Sequence, residues 1–231
     1  TEIYTLSLHD ALPISNPVVP EFTFDLTPLR GMPLRVFSAT GSPVADLGPL
    51  AGMPLESLGL DNCPVSDLSP LQGMPLRRLD LFFNLVSSID PLRGLPLQNL
   101  KLYSLNQAAR IDLSVLSGMP LESLHVLTQG TLGPLRLPFL VRLNLQGSID
   151  LGRLDAPRLQ HLDLSQCYGE SLSLKPLAGC TELRTIILPA GWDKGGHDLS
   201  PLRNLPKLEM VNGTPWVEFW KAYDARQEQK R

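Results

Sequence analysis

What this chain lacks narrows it before anything it contains. Across 231 residues no apolar run approaches the ~20 consecutive positions a membrane-crossing helix requires, so no membrane partner is expected within this segment. Cysteine is scarce. Cys63, Cys167 and Cys180 are the only three, too few and too scattered for a disulfide framework. An excess of positive charge is missing too: twenty basic residues stand against twenty-three acidic ones, for a net charge of −3. That balance offers no electrostatic footprint for a nucleic-acid partner.

What is present repeats. Proline occurs twenty-two times, mostly at fixed places in a recurring phrase. Its signature is Gly31-Met32-Pro33-Leu34, repeated from Gly52, Gly73, Gly94 (as Gly-Leu-Pro-Leu) and Gly118, so that successive copies start 21, 21, 21 and 24 residues apart. Each leads into an L-x-x-L-x-L skeleton, clearest in Leu76-Arg77-Arg78-Leu79-Asp80-Leu81. Self-similarity at this period, on this skeleton, reads as a leucine-rich repeat. About nine units follow, their first leucines at Leu34, Leu55, Leu76, Leu97, Leu121, Leu140, Leu159, Leu183 and Leu208. The expected fold is an α/β repeat solenoid: a right-handed leucine-rich repeat with a concave parallel β-sheet.

Side chains on a strand alternate faces, so Leu79 and Leu81 are expected inward and Arg78, Asp80 and Phe82 outward. No unit can bury its leucines alone; its neighbours supply the other wall. Before several of the strands runs a "D-L-S-P-L" phrase, at Asp67–Leu71 and, with variations, from Asp25, Asp46, Ser88 and Asp198. Proline fixes φ and donates no backbone hydrogen bond, which predicts short 3₁₀ or extended convex segments in place of long helices. Beyond each strand lies a column of Ser42, Cys63, Asn84, Leu105, Gln129, Ser148 and Cys167. Cys63 and Cys167 have four repeats between them and cannot meet, so a buried polar ladder is expected there and a redox or metal site is not.

The two ends read differently from the middle. Residues 1–14, "TEIYTLSLHDALPI", resemble a translated sequencing-library adapter along their whole length. They are expected to be unstructured, with the gene truncated upstream. Residues 15–213 form the repeat region. Residues 214–231 read as a C-terminal capping helix and tail, with Thr214 as N-cap, Pro215 at the first helical position and Trp216, Phe219, Trp220 and Tyr223 on one face.

The "D-[IL]-S-P-L" phrase and the "GMPL" tetrapeptide resemble the internalin-like class of bacterial leucine-rich repeats. With the closing "NGTPWVEFWKAYD", they also resemble C-terminal repeat regions of large bacterial proteins, some of them serine/threonine protein kinases. The resemblance covers roughly Phe22 to Arg226 and implies a fold and a binding role. No G-x-G-x-x-G loop, V-A-I-K lysine or H-R-D loop occurs, so the kinase apparatus itself is absent from this segment.

Three residues tempt a catalytic reading: His161, Asp163 and Ser165 alternate on one outward row. Alternate strand residues lie roughly 6.6 Å apart, and Asp163 falls between the other two, so the triad geometry fails. His125 and His197 have no companion at metal-ligand spacing. The chain is therefore expected to be no enzyme and to hold no cofactor or metal. It reads as a non-catalytic protein-binding scaffold; the alternative is the sensor or docking region of a truncated bacterial serine/threonine kinase. Outward columns bring Phe82, Tyr103 and Leu127 together beside Asp80, Lys101 and His125, with Arg78 at the margin. These seven are the candidate partner-binding residues. The competing account is that Phe82 and Tyr103 merely cover the sheet edge beneath the loop around Asn106 to Ala109.

Overall fold

In a computed structural model of the chain, the described residues are 5–7, 23–104, 111–127, 130–131, 134–168, 172–192 and 198–228. The chain divides into two compact units, Thr1–Leu121 and Glu122–Arg231.

In the first unit, five short strands pair in parallel in chain order: β1 (Thr5–Ser7), β2 (Val36–Ser38), β3 (Ser57–Gly59), β4 (Arg78–Asn84) and β5 (Asn99–Ser104). The register follows the repeat, with Phe37 opposite Leu58, Leu58 opposite Leu79 and Leu79 opposite Leu100. These four side chains are at most 1% exposed, whereas Arg78 between the leucine rows is exposed. The inward and outward assignment read from the sequence holds in β4. Residues 1–14 were expected to be unstructured, yet Thr5–Ser7 within them runs as a strand beside Val36–Ser38. An unpaired strand edge offers backbone groups to any extended segment.

The second unit carries β6 (Ser123–Leu127), β9 (Arg142–Gly147), β12 (His161–Cys167), β13 (Thr185–Ile187) and β14 (Met210–Val211), each parallel to the next. Where the repeats contract to nineteen residues and lose the "D-L-S-P-L" phrase, the return segments become strands. There β7 (Gly130–Thr131) pairs with β10 (Ile149–Asp150), and β8 (Pro134–Arg136) with β11 (Arg153–Asp155). Both units have the architecture of an α/β leucine-rich-repeat solenoid, with few helices.

Each part of the repeated phrase has a mechanical task. In the third repeat, Asp67 accepts a hydrogen bond from the Ser69 backbone at 2.8 Å and opens a 3₁₀ turn over Ser69–Leu71. Pro70 sits within the first turn, where a missing N–H matters least. Equivalent bonds run to Asp25, Asp46, Asp112 and Asp198; Ser88 substitutes its hydroxyl at Asp90. The chain then reverses through the glycine of the tetrapeptide. All five glycines have φ between +73° and +79°, the left-handed region that costs other residues most. Next, Met53 and Leu55 drop into the core while Pro54 stays exposed.

The expected ladder is present at Cys63, Asn84 and Cys167, whereas Ser148 is only half-buried. Cys63 donates to the Ala39 carbonyl at 3.0 Å and Cys167 to the Leu145 carbonyl at 3.1 Å. Asn84, fully buried, donates to the Leu81 carbonyl and accepts from the Val86 backbone. The column slips twice: Asn84 aligns with Ser104, not with Leu105, and Cys167 with Gly147, not with Ser148. Leu105 and Gln129 lie outside the described residues.

The C-terminus departs from expectation in one respect. Thr214 and Pro215 do not begin the helix; they form β15 (Thr214–Pro215), antiparallel to β14. Asn212 and Gly213, at φ +52° and +75°, make the tight turn between them, the conformation that favours Asn-Gly in two-residue hairpins. Helix α2 (Trp216–Glu228) follows, anchored by the Trp216 backbone N–H on the Glu209 carbonyl. Phe219 and Trp220 are buried. Tyr223 stands 5.3 Å from Trp220, and Arg203, at the end of α1 (Ser200–Arg203), lies 4.0 Å over the Trp220 ring and pairs with Asp224.

Candidate functional site

The outward faces of β4 and β5 gather five of the seven candidate residues. Their cross-strand register places Asp80 beside Lys101 and Phe82 beside Tyr103. Arg78 reaches along its own strand to Asp80 Oδ2 at 2.9 Å, and Lys101 meets the same oxygen at 3.4 Å. Lys101 also stands 4.0 Å from Asp61. Asp80 Oδ1 is buried and has no hydrogen-bond partner among the described residues. Asp61 accepts from the Phe82 backbone N–H at 2.8 Å. Burial raises the Asp61 carboxyl above its ordinary range, ahead of the lowering by that hydrogen bond.

Next to this ion cluster lies an aromatic one, and it has a member the sequence reading missed. Phe83 lies 5.1 Å from Phe82 and 4.9 Å from Tyr103, with Phe82 and Tyr103 5.6 Å apart. Strict alternation would send Phe83 inward. Instead the register shifts between Phe82 and Asn84, so two residues of β4 face one of β5. Phe83 adopts φ +59° and stands 40% exposed. Its counterparts one and two repeats earlier, Asn62 at φ +57° and Gly41 at φ +75°, share that conformation with residues suited to it. Holding a phenylalanine there costs on the order of 1–3 kcal/mol. A signal was present in the sequence: Gly41, Asn62 and Phe83 are each twenty-one residues apart.

The other two candidates, His125 and Leu127, belong to the second unit, on β6. His125 Nε2 is 2.9 Å from Gln146 Nε2, and Leu127 is half-buried opposite Gln146. The row continues with Asn144 donating to Asp163 at 3.0 Å and His161 Nδ1 at 2.8 Å from the Thr185 hydroxyl. Asp163 also accepts from the Ser165 backbone. The would-be triad members thus serve different neighbours. Here the expected outward column also slips, because Gln166, not Ser165, aligns with Gln146 across a bulge. His197 and the Asn106–Ala109 loop lie outside the described residues. Among those described, no group of three His, Cys, Asp or Glu gathers to hold a metal. No helix among them is long and apolar enough to cross a membrane.

These faces, built on stacked leucines, define a leucine-rich repeat protein. No protein-family model and no curated protein matches the chain. Among solved structures, an internalin (InlF) of Listeria monocytogenes is similar at 21% identity and a TM-score of 0.46, over 81% of this chain and 70% of that one. Internalin C2 of the same organism is similar at 24% identity and a TM-score of 0.43, over 81% of this chain and 65% of that one.

Proposed function

We propose that the chain is a non-catalytic protein-binding scaffold, and that the outward face of β4 and β5 engages the partner through Phe82 and Tyr103. Arg78, Asp80 and Lys101 form the polar margin. The observation that carries this reading is the aromatic cluster itself, which stands on the outer face of the strands and not beneath them. Interface hot spots are enriched in aromatic anchors with a polar surround, and a contiguous exposed apolar patch marks contact surfaces. In the second unit, His125 and Leu127 serve the same role on their own face. A docking region of a kinase rests on resemblance alone, and no observation among the described residues favours it. The test is replacement of Phe82 and Tyr103 together by alanine, with the partner captured from a native lysate by the wild-type chain as the readout. Loss of that capture with an intact fold is expected; unchanged capture overturns the reading.

A further inference from the structure

We infer that Phe83 is the specificity-determining residue of this strand face, and that the side chain it receives from the partner polypeptide is apolar and uncharged. The inference rests on the protein-binding reading above and deepens it.

Two independent observations carry it. First, Phe83 occupies a backbone position that the two preceding repeats fill with Gly41 and Asn62, and all three have positive φ. Glycine and asparagine adopt that region readily; a bulky aromatic residue there is an outlier. A strained residue persists where the surrounding structure over-determines it, and such residues cluster at functional sites. The ring it presents is not core packing, for it remains 40% exposed while touching both Phe82 and Tyr103. The bulge therefore widens a two-ring contact into three.

Second, the surrounding charges face one another, leaving the buried Asp80 Oδ1 without a hydrogen-bond partner among the described residues. Arg78 and Lys101 converge on Asp80, and Lys101 reaches toward Asp61, so two cations face two carboxylates. A partner group bearing charge would meet a face whose cations and carboxylates balance in number, and would lose its hydration on contact with the rings. Complementarity thus favours an aliphatic or aromatic side chain without charge.

The experiment uses a random twelve-residue peptide library displayed on phage, panned on the full chain and counter-screened on Phe83→Asn. Asparagine suits the left-handed backbone, so this variant removes the ring without breaking the turn. Expected is enrichment of peptides rich in uncharged apolar residues, weakened about tenfold or more by Phe83→Asn, with no fall in the melting midpoint. The inference is overturned by undiminished binding to Phe83→Asn, by enrichment of charged peptides, by no enrichment, or by a midpoint many degrees lower. Binding lost in the Phe82/Tyr103 double variant but kept in Phe83→Asn sinks this inference alone; binding kept in both sinks the strand-face reading as well.

Discussion

The Cys63 thiol donates to the carbonyl of Ala39, 3.0 Å away in the preceding repeat, and so ties one turn of the chain to the next. Burial pushes that thiol up to about 12 and the thiols of Cys167 and Cys180 up to about 11, from an ordinary 9.0. The thiolate is the reactive form. Native protein at pH 8 should therefore leave an aromatic disulfide reagent unconsumed, whereas denatured protein should release three equivalents. The same shift has a sign for stability. The folded state holds these protons more tightly than the unfolded one, so their contribution is complete below pH 9 and declines as pH rises toward 11 and 12. Urea midpoints measured from pH 8 to pH 11 should fall, and fall less steeply in Cys63→Ala relative to its own neutral-pH value.

Leu79 and Leu100 face each other across β4 and β5 with at most 1% of either exposed. Truncating either to alanine leaves a cavity that the stacked repeats close only in part. Each variant should lose about 2–5 kcal/mol in urea denaturation. Near-neutral behaviour at both positions would mean that the leucine rows do not form the core.

Gly73 turns the chain at φ +75°, and an added Cβ there would meet nothing within 4 Å. The penalty of Gly73→Ala is then conformational and not steric, at about 1–2 kcal/mol. Gly73→Asn should be milder, because asparagine tolerates the left-handed region. Equal losses for the two variants would show that the turn demands glycine for a different reason.

The aspartates at the start of the convex turns set an acid limit. The Ser69 backbone N–H, then its hydroxyl, hold Asp67 below 3.8, and the hydroxyls and backbone N–H groups of Thr27, Ser114 and Ser200 do the same for Asp25, Asp112 and Asp198. A depressed folded pKa stabilises above the unfolded value and is lost as pH falls below it. Melting midpoints should therefore drop as pH falls through about 4 and below. Replacing all four by asparagine, which keeps a side-chain acceptor, should flatten that drop. An unchanged acid profile would mean that these bonds do not distinguish the folded chain from the unfolded one.

The candidate site was legible only in part. Phe82 and Tyr103 follow from alternation and a constant repeat, since both conditions hold up to Phe82. Phe83 does not follow from alternation, which assigns it inward; the left-handed position it shares with Gly41 and Asn62, with the bulge against β5, turns its ring out. Likewise the slip that aligns Gln166 with Gln146 is set by the neighbouring strand, not by Ser165 itself. The hairpin at Asn212-Gly213 carries a local turn signal that helix-capping arguments at Thr214 overrode.

By itself the sequence determined whatever depends on neighbours along the chain. The repeat period, the buried leucine rows, the proline-bearing 3₁₀ turns and the cysteine positions all follow from spacing and backbone preference. Tertiary structure decided whatever depends on counting residues against a neighbouring strand. A bulge is a difference in length between two paired segments, and one extra residue reverses which side chain faces out. That is why the leucines could be placed from alternation, while the exposed ring of Phe83 departs from it where β4 bulges against β5.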